Sequence, residues 1–144
     1  MFKKSLEERL SDWKLLREQL DQSDDPLNDL SNFWADAPLI SYNHKIDHYN
    51  SKSWPTPWEI IEENKYDDFT ISLMIGWTLK LTEKFANSTI ELRTMVDESR
   101  TRLYNLVYID NTQVLNYDRW QSISVQDIPE TFLIENLVDI PKPR

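Results

Sequence analysis

The feature that most constrains the fold is a change in apolar periodicity partway along the chain. In residues 4–22, apolar side chains recur at three- and four-residue steps, which is typical of an amphipathic helix. The later part of the chain has three segments rich in β-branched and aromatic residues, which are typical of strands joined by hairpin turns: 89–96, 102–110 and 113–117. The sequence therefore predicts an α+β fold, with N-terminal helices and a buried central helix packed on a small antiparallel β-meander.

Two further helices begin at sequences that can cap a helix. Pro26 suits the first position of a helix over residues 26–35, because it follows the capping residue Asp25. Thr56, followed three residues later by Glu59, forms a capping box for another helix.

The segment 68–83 is the most ambiguous part of the pattern. Apolar and small polar residues alternate in its first part, as in a strand, but the segment is about twice as long as a typical strand. As a helix it would be apolar nearly all round and therefore buried, and Asp67 and Asp68 suit a helix N-terminus. We favour the helix. Gly76, the only glycine, would lie within it, and we expect another backbone to pack closely there.

Composition excludes several classes of function. The chain has 144 residues and no cysteine, so it can form neither disulfides nor thiolate metal sites. Its net charge of −9 argues against nucleic-acid binding, and no stretch is apolar enough to span a membrane. Because the N-terminus also lacks the apolar run of a signal peptide, we expect a protein made and used in the cytosol, or packed into a particle assembled there.

Several motifs in the middle of the chain resemble those of transglutaminase-like proteins, within the papain-like cysteine-hydrolase superfamily. Residues 54–59 (WPTPWE) look like the upstream element, residues 65–70 (KYDDFT) like the nucleophile motif, and residues 105–108 (NLVY) and 114–117 (VLNY) like the two strands that carry the partner residues. The resemblance covers about residues 54–117, and it implies a buried helix at 68–83. The N-terminal third is similar to proteins of unknown function from large tailed bacteriophages, through DPL, FWA, APL and WPTPW stretches.

The resemblance implies that all three catalytic roles are lost. The nucleophile position falls on Tyr66, the base position on Asn105 (or on Tyr104 if the register slips by one), and the orienting position on Asn116. Tyrosine cannot replace a thiolate at neutral pH, and asparagine has no titrating proton to transfer. We therefore expect no enzymatic activity and no cofactor, and we predict that Tyr66, Asn105 and Asn116 lie together as the remnant of such a site.

We expect one domain over residues 1–144. It comprises an N-terminal helical segment (1–38), the transglutaminase-like core (54–128) and a C-terminal tail (129–144). The tail is expected to hold a short helix over residues 130–136 and an extended end.

Some residues outside these motifs suggest binding. The α-helical stripe of Leu6, Leu10, Trp13 and Leu20 could bind a partner protein, although packing on its own domain is the alternative. We expect no metal site. His44 and His48 are four residues apart, the spacing of zinc ligands on a helix, but they lie in a predicted loop, so we expect solvated histidines. Four acids lie at predicted helix ends, and favourable helix-end charge explains them better than catalysis does: Glu62, Glu63, Asp67 and Asp68. The pair Trp54 and Trp58 could form an aromatic surface or pack over the site.

These observations predict a non-catalytic structural or interaction protein, a component of a bacteriophage virion whose partners are other virion proteins. The alternative is a small acidic regulator that binds a host enzyme in the cytoplasm, which the net charge of −9 would suit. An enzyme of unrelated chemistry that uses the carboxylates is a third hypothesis. The expected location is the virion or the host cytoplasm.

Overall fold

The computed structural model describes residues 1–143 and has the predicted α+β architecture, with helices before strands. Four α-helices come first: α1 (Leu6–Gln22), α2 (Pro26–Ala35), α3 (Pro57–Glu63) and α4 (Asp68–Lys80). Five strands follow: β1 (Ile90–Val96), β2 (Leu103–Ile109), β3 (Gln113–Leu115), β4 (Ile123–Ser124) and β5 (Leu133–Asp139). Short 3-10 turns occur at Ser51–Ser53 and Val125–Asp127. Arg144, the last residue of the predicted tail, lies outside the described residues.

The predicted start of α3 is confirmed by its capping bonds, whereas α2 begins at Pro26 as predicted but Asp25 makes no side-chain capping bond. The side chain of Thr56 accepts a hydrogen bond from the Glu59 amide at 3.2 Å, and the Glu59 carboxylate accepts one from the Thr56 amide at 3.0 Å. Ser5 accepts from the Glu8 amide at 3.3 Å in the same way. These local bonds satisfy backbone donors that a helix cannot satisfy internally, so short sequences determine where α1 and α3 begin.

Helix α4 is the centre of the molecule, and the ambiguous segment is therefore a helix. Every residue from Phe69 to Leu79 is buried. The Asp67 side chain caps the helix by accepting from the Thr70 amide at 2.8 Å. One face of α4 packs on β1 and β2, while α2 packs on another. A helix enclosed in this way has no polar face, which explains why its sequence shows no helical periodicity.

The sheet has the strand order β4-β3-β2-β1-β5, and all neighbouring strands are antiparallel. The prediction of a short helix over residues 130–136 is wrong, because residues 130–131 form a turn and residues 133–136 belong to β5. A helix of seven residues is marginal by itself, whereas β1 offers a full row of backbone partners. Val138 lies opposite Leu92 and packs on the main core, and this tertiary pairing determines the local structure.

The apolar stripe of α1 packs on the protein's own core, contrary to the prediction that it binds a partner. Trp13 and Leu20 are 0% and 1% exposed, and Leu6 and Leu10 pack against the same apolar cluster. The Trp13 indole N–H also donates to Thr78 Oγ1 in α4 at 2.9 Å. This cluster includes side chains from all four helices and from the inner face of the sheet, so the N-terminal segment and the later segment share one core.

Gly76 leaves space for Ile140, the residue that follows β5. A Cβ at position 76 would collide with Ile140 Cδ1, so a side chain, and not the backbone that we expected, makes the close approach. The bond from the Ile140 amide to the Ile90 carbonyl, at 2.8 Å, holds this residue in place.

We predict that Gly76→Ala destabilises the protein by about 1–3 kcal/mol through overpacking, although alanine favours an open helix position by about 1 kcal/mol over glycine. Urea unfolding would measure the change. Ile140→Val removes the colliding Cδ1 and is the matched partner: the double variant should be more stable than the sum of the two single changes implies. Simple additivity, or stabilisation by Gly76→Ala alone, would contradict the packing described here.

Candidate functional site

Three elements meet at the N-terminus of α4, and each contributes one polar side chain. Asp68 is the first residue of α4, Asn105 lies in β2 and Asn116 directly follows β3. The Asn105 amide Nδ2 donates to Asp68 Oδ2 at 2.9 Å, and the Asn116 amide Nδ2 donates to Asp68 Oδ1 at 3.1 Å. The carboxylate of one helix residue therefore binds an amide from each of two sheet positions.

Further hydrogen bonds close this network, which we call the Asp68 network. The Asn116 Nδ2 atom also lies 2.8 Å from Ser72 Oγ and 3.0 Å from the Asn105 carbonyl oxygen. Ser72 donates to the same carbonyl at 2.5 Å, and Thr94 in β1 donates to Asn105 Oδ1 at 3.0 Å. The network includes Asp68 and Ser72 from α4, Thr94 and Asn105 from the sheet, and Asn116.

Strand parity and turn geometry explain the two asparagine positions. Asn105 is buried on the same face of β2 as Val107 and Ile109, as the alternation in the sequence predicts. Asn116 has a φ of 69°, in the left-handed region that asparagine tolerates better than most residues. The chain leaves β3 at this point, and asparagine accommodates the left-handed conformation there.

Tyr66 does not belong to this network. Asp68 occupies the place beside the two asparagines where we expected Tyr66. Tyr66 is 0% exposed, and its ring centroid lies 5.5 Å from those of Phe2 and Trp34. Its hydroxyl has no hydrogen-bond partner among the described residues. The prediction that Tyr66, Asn105 and Asn116 lie together is therefore confirmed only for the asparagines. The aromatic ring enters the core, and the acid two residues later begins the helix.

The hydrogen bonds of the Asp68 network link α4 to the sheet. A carboxylate that accepts from two amides is held in place, and neither amide can take up or release a proton near neutral pH. Burial raises the pKa of the Tyr66 hydroxyl well above its ordinary value, so this group is neutral as well. Sequence analysis identified Asp68 only as a helix-end acid, and its bonds to β2 depend on tertiary structure.

Two of the other three acids, Asp67 and Glu63, also have structural partners. Asp67 caps α4 and accepts the Asn43 amide at 2.9 Å, while Glu63 pairs with Lys45 at 3.1 Å. No group of three or more His, Asp or Glu residues within residues 1–143 is arranged to hold a metal ion. Over the same range, no helix is both long enough and apolar enough to cross a membrane.

His48 and the Trp54/Trp58 pair differ from expectation. The His48 ring stacks on Phe69 with centroids 3.8 Å apart and an interplanar angle of 6°, so the prediction of a solvated histidine is wrong for His48, whereas His44 is exposed. Burial lowers the pKa of His48. Trp54 is buried, and Trp58, 39% exposed, lies edge-on against Trp13. An aromatic surface made of both tryptophans is therefore not present.

A cavity of about 190 Å³ adjoins the Asp68 network. It lies between α2, α4 and the segment 116–119, and the α4 residues that line it are Asp68, Ile71 and Ile75. Arg119 closes one side: its guanidinium donates to the Ala35 carbonyl at the end of α2 through both Nε and Nη2, the former at 3.1 Å. The sequence gives no sign of this cavity, because its walls come from four separate parts of the chain.

Comparison with known proteins gives no family for this chain. No protein-family model matches the sequence, and no curated protein and no solved structure matches it significantly. The resemblance to transglutaminase-like proteins therefore stays a prediction, and functional arguments depend on the geometry described above.

We predict that Asp68→Asn lowers the free energy of unfolding by about 1–2 kcal/mol, because hydrogen bonds to a charged group contribute about 1.5–3 kcal/mol and solvent weakens them at Asp68, which is exposed. An amide at this position offers one acceptor oxygen and places its NH₂ group against a neighbouring amide. Asp24→Asn, at an exposed position, removes the same charge and should have little effect in the same urea titration. Equal stability of the two variants would argue against a stabilising role for the hydrogen bonds of Asp68.

A second prediction concerns pH. Because the folded-state pKa of His48 lies below the ordinary value of 6.5, the unfolded chain takes up a proton before the folded protein does. The contribution of His48 to stability is therefore complete above pH ~6.5 and is lost as the pH falls toward the folded-state pKa. His48→Phe retains a ring against Phe69 and should reduce this loss in urea unfolding between pH ~7.5 and ~5.5.

The matched control for this prediction is His44→Phe. His44 is exposed, so this variant should show the same decline in stability as the unmodified protein. If the decline persists unchanged in His48→Phe, another group is responsible.

Proposed function

We propose that this chain is a non-catalytic protein that binds another protein, built on a transglutaminase-like fold, and that it is a component of a bacteriophage virion. The observation that carries the binding proposal is strand β5. It forms an edge of the sheet, pairs only with β1, and bears three apolar side chains that are 41–52% exposed: Leu133, Ile134 and Leu137. An edge of this kind offers unpaired backbone groups and apolar contacts to an incoming strand.

The charge of the segment that contains β5 supports a protein partner with basic residues, and the nearby Arg93 in β1, opposite Leu137, is already paired with Glu91. Residues 120–141 include Asp127, Glu130, Glu135 and Asp139 but no lysine or arginine. Pairing with a second copy of this strand would bring like charges together, whereas a strand that alternates apolar and basic residues would complement it.

The proposal that the protein is non-catalytic is supported by the Asp68 network. In the resemblance described above, the N-terminus of the buried helix and two successive strands carry the nucleophile, the base and the orienting residue. The groups that meet there in this protein are a carboxylate and two amides, already bonded to one another. The hydrogen bonds of the network hold α4 on the sheet, and its members include no pair of groups that could act as general acid and general base.

The second candidate is a small acidic regulator of a host enzyme in the cytoplasm. The net charge of −9 favours it, since a strongly acidic surface attracts basic sites and speeds association with them. The same β5 edge would serve this role. The two candidates differ in whether the protein remains with assembled particles.

Mass spectrometry of purified particles from the natural source tests the virion role. Peptides from this chain should be present after density-gradient purification at a fixed stoichiometry to the major structural proteins. Their absence, together with recovery of the chain from the soluble fraction of infected cells, would support the regulator and contradict the virion role.

Paired substitutions test whether β5 is the binding surface. We predict that the double variant Ile134→Lys/Leu137→Lys, supplied in place of the native chain, is incorporated into particles at least about tenfold less, because loss of two apolar anchors costs more than about 1.4 kcal/mol. Leu15→Lys changes a leucine that is equally exposed on α1, and it should be incorporated normally. Equal incorporation of the two proteins would show that β5 is not the docking strand.

A further inference from the structure

The cavity beside the Asp68 network has two buried polar groups without hydrogen-bond partners. Ser31 and Trp34, on α2, both line it and are 3% and 1% exposed. The Ser31 hydroxyl and the Trp34 indole N–H have no partner among the described residues. Buried polar groups are nearly always paired, so two such groups in the wall of one cavity call for an explanation.

The remaining polar groups of the cavity are also mainly donors. Arg102 and Arg119 both line it and are exposed, so they lie nearer the solvent than Ser31 and Trp34. The Arg102 guanidinium lies over the Tyr104 ring, 4.6 Å from the centroid. Asp68 is the one acid in the lining, and each of its oxygens already accepts an amide. The lining also holds Asn116 and Tyr117, but its two arginines and the unpaired Trp34 N–H favour a ligand that supplies acceptors.

Charge and size narrow the class of ligand. Two arginines against one aspartate make the lining net positive, although the whole chain has a charge of −9. Ile71 and Ile75 provide an apolar wall. At about 190 Å³ the cavity is smaller than the ~300–1,000 Å³ typical of pockets for drug-sized ligands.

We propose that this cavity binds a small organic carboxylate that has a second oxygen at its far end. The carboxylate binds between Arg102 and Arg119, the short apolar body lies against Ile71 and Ile75, and the far oxygen accepts hydrogen bonds from Ser31 and Trp34. Arginine pairs well with planar carboxylates, and a bound acceptor would satisfy both buried groups. This site is independent of the β5 surface and of any protein partner.

The test uses the full-length chain labelled with ¹⁵N and 4-hydroxybenzoate as the probe. The Trp34 indole resonance, assigned by comparison with Trp34→Phe, should shift in a saturable way during the titration. The neutral analogue 4-hydroxybenzamide should bind at least about tenfold more weakly, because it loses the charge-assisted contacts with arginine. Inorganic phosphate should not reproduce the shift, since it has no apolar body.

Two matched variants locate the head group. Arg102→Gln should weaken 4-hydroxybenzoate binding about tenfold, whereas Arg100→Gln, which makes the same change in the β1–β2 turn outside the cavity, should leave the affinity within about twofold. Ser31→Ala, which adds no volume, should weaken binding about threefold through loss of one hydrogen bond. Well-dispersed amide spectra would establish that each variant is folded.

Three outcomes would overturn the proposal. The first is an unmoved Trp34 indole resonance at the solubility limit of the probe. The second is equal affinity for the acid and the amide, which would show that the arginines do not bind the head group. The third is an equal effect of phosphate, which would reduce the site to a general anion contact.

Discussion

Burial of α4 is the constraint on which the rest of the structure depends. Each residue from Phe69 to Leu79 is enclosed, so the helix needs apolar surfaces on all sides, and the sheet, α1 and α2 provide them. The apolar stripe of α1 covers part of α4, and the hydrogen bond from the Trp13 indole to Thr78 joins the two helices. Because the core uses the apolar stripe of α1, a partner must bind elsewhere, and β5 carries three of the large apolar side chains that stay exposed.

The Asp68 network solves a problem that this burial creates. The N-terminus of a buried helix presents backbone donors and a positive partial charge that water cannot fully reach. Asp67 caps the donors and Asp68 supplies negative charge, while Asn105 and Asn116 join that charge to the sheet. The network thus holds the N-terminus of a helix on a sheet.

The two proposed binding surfaces lie in chemically different surroundings. The β5 edge is apolar, and the segment that contains it (residues 120–141) has acids but no lysine or arginine, so it complements a basic protein segment. The cavity has Arg102 and Arg119 in its lining and buried donors behind them, so it complements a small acid. The net charge of the whole chain, −9, would by itself predict basic partners for both surfaces. The local arrangement of charges, and not their sum, determines which ligand each surface favours.

The sequence by itself determined the fold class, the starts of the helices and the inward direction of Asn105, because capping and strand alternation act over a few residues. It could not determine the structure of β5, since residues 133–139 become a strand only where β1 offers backbone partners. The sequence also did not predict that Asp68, and not Tyr66, would bind the two asparagines, and it gave no sign of the cavity. Those outcomes depend on contacts between residues more than 30 positions apart along the chain, which local preferences do not encode.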